Sequence, residues 1–201
     1  MRWTSEKNMT TSYIDDIKDK WRRLLIDSEL AKKYGMIQMI TGFGHSSPNP
    51  IVERILPSLL YIRLGAFLDE TFEEYITENN LEMSKSYKRD LNGMINFLND
   101  QGLLNDAPKL HALRIKRNDL AHENGHFCKW SELEDGITIA DIELQHLGLA
   151  KTRPKFEFYA ERTPRWPPEP GYIMTFDYWY GLHENGKTIA KVSWVENVCE
   201  E

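Results

Sequence analysis

The chain has 201 residues, with 25 Lys and Arg against 31 Asp and Glu and a formal net charge of −6. That length suits one domain, or one domain with a small appendage, and is enough to bury a core. The acidic balance excludes a surface coated in phosphate-binding residues while leaving room for a local basic cleft.

No apolar run reaches the ~20 residues of a membrane span. The most apolar stretch, Ile51 to Leu68, is interrupted by Glu53, Arg54 and Arg63. Arg2, Glu6 and Lys7 have no apolar block behind them, so no signal peptide is expected. The two cysteines, Cys128 and Cys199, are too few and too distant for a disulfide framework, so a reducing cytoplasm is the expected setting.

Thr11 or Ser12 can cap a first predicted helix, with Asp15 and Asp16 in its opening turn. Ile14, Ile17, Trp21, Leu24, Leu25 and Ile26 give it an apolar face, and it is expected to end near Gly35. Gly42 to Pro50 reads as a loop. A long central helix is predicted from Ile51 to Thr77, with Pro57 either beginning a straight segment or kinking it.

Ser84 or Ser86 is expected to start a third helix with Leu91, Met94, Ile95 and Leu98 on its core face, stopped by Gly102. Asp106-Ala107-Pro108 is a start signal for a fourth. Trp130 to Leu149 gives a fifth, weaker helical pattern. The pattern then changes. Phe156 to Ala160 alternates like a strand, and the prolines from Pro164 to Pro170 read as a stiff linker. Ile173 to Tyr180 and Thr188 to Val195 are strand-like, separated by the hairpin dipeptide Asn185-Gly186. The expected fold is therefore mainly α: a helical domain over residues 11–150, followed by a small antiparallel β hairpin or sheet over 151–201 packed on it.

The fourth helix carries the chemistry. Leu110, Leu113, Arg114, Arg117, Leu120 and Ala121 share one stripe. Two arginines on an apolar stripe need acids such as Asp69, Glu70 or Glu73, or else they meet a partner or an anionic ligand. Asn118 and His122 are four apart, so Asn118 could orient the imidazole. Arg117 and His122 are five apart, about 140° around an ideal helix. They converge only if the helix loosens near His122 or if two copies meet across a dimer axis. Lys109, Arg114 and Lys116 add positive charge for substrate binding.

The segment from Leu110 to His122 resembles the last core helix of HEPN domains, which carry an Arg-x4–6-His motif, often with a polar residue after the arginine. Here Arg117 is followed by Asn118, and four residues separate it from His122. The preceding helices also fit that all-helical fold, whereas the C-terminal strands are not explained by it. The resemblance implies a metal-independent endoribonuclease acting as a homodimer on single-stranded RNA, with no cofactor. It makes Arg117, Asn118 and His122 the catalytic residues. A histidine near neutral pKa moves protons, an arginine stabilises charge on phosphorus, and the RNA supplies its 2′-OH as nucleophile. A 2′,3′-cyclic phosphate and a 5′-OH would result. A toxin or phage-defence setting, with an antitoxin or regulatory protein as partner, comes from the family alone. The tyrosine that one branch carries two residues beyond the histidine, for modification by an antitoxin, is Asn124 here. Some HEPN proteins have lost catalysis and serve as binding modules, which is the main alternative.

A second string overlaps the first. His122-Glu123-Asn124-Gly125-His126 satisfies the zincin pattern, in which His122 and His126 would bind zinc from one helical face. Against it stand the turn signal Asn124-Gly125 and an undefined third ligand among Cys128, Glu132, Glu134 and Glu143. Trp166, Tyr172, Tyr178, Trp179, Tyr180 and Trp194 could stack on bases, but a sheet core is the expected use of most of them.

Overall fold

The computed structural model describes residues 5–41, 51–122 and 125–199. The chain divides into two compact units, residues 1–153 and 154–201. The first contains α1 (Ser5–Thr41), a π-helical turn (Ile51–Ile55), α2 (Leu56–Glu78), α3 (Leu91–Asp100), α4 (Ala107–His122) and α5 (Trp130–His146). The second contains β1 (Glu157–Arg165), β2 (Met174–Glu184) and β3 (Lys187–Val198).

The first helix is longer than its capping residues suggested: Thr11 and Ser12 lie inside α1, and it passes through Gly35. Ile17, Trp21, Leu24, Leu25 and Ser28 form its buried stripe, spaced by about one turn. Full burial of each large apolar side chain contributes about 1.5–3 kcal/mol. Trp21 stacks on Phe67 at 5.5 Å between ring centres and donates its indole N–H to Asp141 at 3.1 Å. The loop expected at Gly42–Pro50 lies outside the described residues.

The helix α2 is central, as its dense apolar positions require, with Tyr61, Leu64, Phe67, Leu68, Phe72 and Ile76 all buried. Pro57 stands at its start, behind the π-helical turn, where a missing N–H is tolerated. Gly136 on α5 lets Tyr61 and Leu64 approach closely, since a Cβ there would stand 3.0 and 3.2 Å from them.

The helix α3 begins later than expected. Ser84 and Ser86 bond to each other at 2.5 Å. Asp90 is the actual cap, accepting from the Gly93 N–H at 2.8 Å. Gly102, with φ of 69°, ends the helix as expected. Asp106 accepts from the Lys109 N–H at the start of α4. That start is also held from α5: the buried Glu143 carboxylate accepts from the Asn105 and Asp106 N–H groups at 2.9 and 2.7 Å.

The second unit corrects the expected fold class. It is not a small hairpin on a mainly α protein but a three-stranded antiparallel sheet in the order β1-β2-β3, so the chain combines a helical unit with a β unit of its own. The difference lies in β1, which runs through Pro164 to Arg165, where a linker was expected. Among the described residues it pairs only with β2, and an edge strand accommodates proline because one side of it needs no ladder hydrogen bonds. Asn185 and Gly186 form the two-residue turn as expected, with φ of 51° and 73°. Arg165 forks onto Asp177 and also reaches Glu169.

Candidate functional site

Two elements converge on α4. Arg114, Arg117 and Asn118 from α4, Asp69 from α2, and Asp90 and Asn92 at the start of α3 line one cleft of about 220 Å³. The α4 stripe explains this placement: Leu110 and Leu113 bury against the core, and the arginines that follow them on the same stripe emerge at its rim. Gly65 sets the depth of Arg117, whose side-chain stem crosses α2 where that helix has no Cβ.

Among the described residues the arginines are not consumed by internal ion pairs. Glu70 is taken by Lys20 at 2.8 Å. Arg114 makes no hydrogen bond or ion pair among the described residues, and its buried Nε has no acceptor. Arg117 donates from Nη1 to Asn118 Oδ1 at 3.0 Å, and its buried Nε is likewise unmatched. Asp69 accepts no hydrogen bond among the described residues, and its Oδ1 is buried. Burial holds the Asp69 carboxyl above the ordinary range, partly offset by the Arg117 guanidinium. Buried polar groups are ordinarily satisfied, so three unmatched atoms around one cleft mark it as chemically incomplete.

The remaining sequence candidates are placed elsewhere. His122 is the last residue of α4; it is exposed and does not line the cleft. Because α4 stays helical through His122, one chain splays it from Arg117. Asn118 accepts from Arg117 and makes no hydrogen bond to His122 among the described residues. Lys116 reaches Glu132 on α5 at 2.8 Å, which holds that carboxyl below its usual range. Lys109 pairs with Asp106 in the first turn of α4, about 12 Å along the helix from Arg117. Neither lysine lines the arginine cleft.

The zincin string does not form a helical pair. α4 ends at His122, and Gly125, with φ of 97°, and His126 lie beyond it; Glu123 and Asn124 lie outside the described residues. Among the described residues no group of three or more His, Cys, Asp or Glu is placed to hold a metal ion. Cys128 is fully buried with its thiol pushed up to about 12 by burial, so it behaves as a small core residue. Of the aromatic candidates in the second unit, Tyr180 is buried and Trp166 is 88% exposed. Trp179 donates to Glu161 and carries Lys191 over its ring. Trp194 has no described side chain.

Sequence reasoning missed Gly65, Asp90 and Asn92. A glycine inside an otherwise apolar helix, as in Leu64-Gly65-Ala66, is the available signal for a close crossing. An aspartate directly before an apolar period, as in Asp90-Leu91, is the signal for a cap. In comparisons with protein families, curated proteins and solved structures, no family model matches the chain, and neither does any curated protein or solved structure.

Proposed function

We propose that this protein is a metal-independent endoribonuclease whose site is built on the HEPN-like motif Arg117, Asn118 and His122, and that it acts as a homodimer on single-stranded RNA. The observation that carries this reading is the pair of arginines, Arg114 and Arg117, facing one cleft without acidic partners in ion-pair contact among the described residues. A guanidinium left unmatched at a rim is suited to a phosphodiester, which it binds with two parallel hydrogen bonds. Arg117, steadied by Asn118, would hold the scissile phosphate and stabilise the charge that grows on it. His122, exposed at the tip of α4, would take the proton from the 2′-OH or return one to the leaving 5′-oxygen. The splay between the two residues makes a second copy part of the mechanism, with His122 of one chain meeting Arg117 of the other. A family setting in toxin action or phage defence, with an antitoxin as partner, follows from the resemblance only.

The exposure of His122 away from the cleft favours a second reading: a non-catalytic module that binds an anionic partner through Arg114 and Arg117. One experiment separates the two. Purified protein is incubated with single-stranded RNA in EDTA. The nuclease reading expects cutting to 2′,3′-cyclic phosphate ends, lost in Arg117→Ala and His122→Ala variants that keep their helical circular dichroism. Binding without turnover supports the module, and identical behaviour of wild type and both variants overturns the nuclease.

A further inference from the structure

The cleft is not simply cationic. Arg114, Arg117 and Asn118 offer donors: the guanidinium groups have no acceptor atoms, and the Asn118 oxygen is already taken by Arg117, which leaves its amide N–H₂. Asp69 faces them as an acceptor with no hydrogen bond of its own among the described residues. Asp90, the other carboxylate, caps α3 by accepting the Gly93 N–H at Oδ1. A ligand that completes this site must therefore carry acceptors for the arginines and a donor for Asp69, side by side.

This requirement discriminates between ligand classes. A phosphodiester alone satisfies the guanidinium groups but leaves Asp69 without a donor. A cation satisfies Asp69 but is repelled by two arginines. A phosphodiester with a neighbouring hydroxyl satisfies both. RNA carries that pair at every step, as the ribose 2′-OH beside its 3′-phosphate, and DNA does not. At about 220 Å³ the cleft is smaller than the roughly 300–1,000 Å³ that enclose a whole small ligand. It suits one unit of a polymer.

Building on the nuclease reading, we propose that Asp69 is a specificity-determining residue that accepts a hydrogen bond from a ribose 2′-OH on binding, before that hydroxyl turns its proton to His122, while Arg114 and Arg117 hold the adjoining phosphate. The cleft is then a ribose-phosphate subsite that distinguishes RNA from DNA. Burial already disfavours the Asp69 charge, so a hydroxyl donor reaching this carboxylate from the cleft offsets part of that cost.

The test measures binding of labelled single-stranded oligonucleotides of one sequence, as RNA, DNA and 2′-O-methyl RNA, to full-length protein carrying His122→Ala to prevent cutting. The expected result is RNA bound on the order of tenfold tighter than either analogue, the contribution of one hydrogen bond to a charged acceptor. Adding Asp69→Ala should bring that ratio close to one, and Asp69→Asn, which keeps the side chain's shape, should give an intermediate ratio. No preference for RNA with Asp69 intact, or a ratio unmoved by either substitution, overturns the inference. If RNA binding is lost with Arg117→Ala but the ratio ignores Asp69, only this inference falls. If RNA is not bound, or binding ignores Arg117, the nuclease reading falls with it.

Discussion

Arg117 lies across Gly65, so closely that a Cβ on Gly65 would stand 2.6 Å from Arg117 Cγ and 3.2 Å from Arg117 Cβ. The atoms in conflict belong to the stem of the arginine, which cannot swing aside as its tip could. Gly65→Ala should therefore displace the guanidinium from the cleft. The alanine gains about 1 kcal/mol in helix propensity, whereas overpacking costs about 1–3 kcal/mol. We expect a modest loss of stability in urea unfolding and at least a tenfold loss of RNA cutting. Wild-type cutting by Gly65→Ala would show that the position of Arg117 over α2 is immaterial.

Glu143 fixes the other end of the same helix. Its buried carboxylate accepts two backbone N–H groups ahead of α4. Glu143→Ala should cost about 3 kcal/mol, because it removes two hydrogen bonds to a buried charged acceptor. Glu143→Gln keeps one acceptor oxygen and should cost about half as much. Denaturant midpoints measure both, and equal stability of all three proteins would refute the capping role.

Helix existence was legible in the sequence because apolar spacing and breakers agreed. Asp106-Ala107-Pro108, Gly102 and Asn185-Gly186 all act as their local chemistry dictates. The starts of α1 and α3 were not legible. A capping residue functions only where the chain actually turns, and Asp90 outcompetes Ser84 and Ser86, which bond to each other. The sheet was underestimated because Pro164 reads as a breaker unless its strand is known to be an edge. At the site, the arginine stripe was legible but its partners were not. Which acid pairs with which cation depends on packing between helices, and Glu70 goes to Lys20 while Asp69 is left at the cleft.

Asp69 should reveal itself through pH. Burial raises its carboxyl pKa in the folded protein, so the folded state holds that proton more tightly than the unfolded chain does. Its favourable contribution is present at low pH and is lost as pH rises through the folded value. Ionised Asp69 thus opposes folding at neutral pH. Asp69→Asn should raise Tm at pH 7, with the gain shrinking as pH falls and Asp69 takes up its proton. A lower Tm for Asp69→Asn at pH 7 would mean the carboxylate is stabilised by its surroundings.

Ile115 shares a face of α4 with Asn118 and His122 and is 50% exposed. If a second copy docks over this face, Ile115→Arg should weaken self-association and cutting together, with the monomer's circular dichroism unchanged. Sedimentation across a concentration series reads the first and gel assays the second. Loss of neither would place any dimer contact elsewhere.

The central claim, that Arg117 of one chain and His122 of another complete one site, is tested most directly by mixing. Arg117→Ala and His122→Ala proteins are each expected to be inactive on RNA in EDTA. Unfolded and refolded together at equal concentration, half of the resulting two-fold dimers are mixed, and each mixed dimer regains one of its two sites. Activity should return to about one quarter of wild type. A mixture that stays as inactive as its components, beside a wild type that cuts, would contradict a site shared between chains.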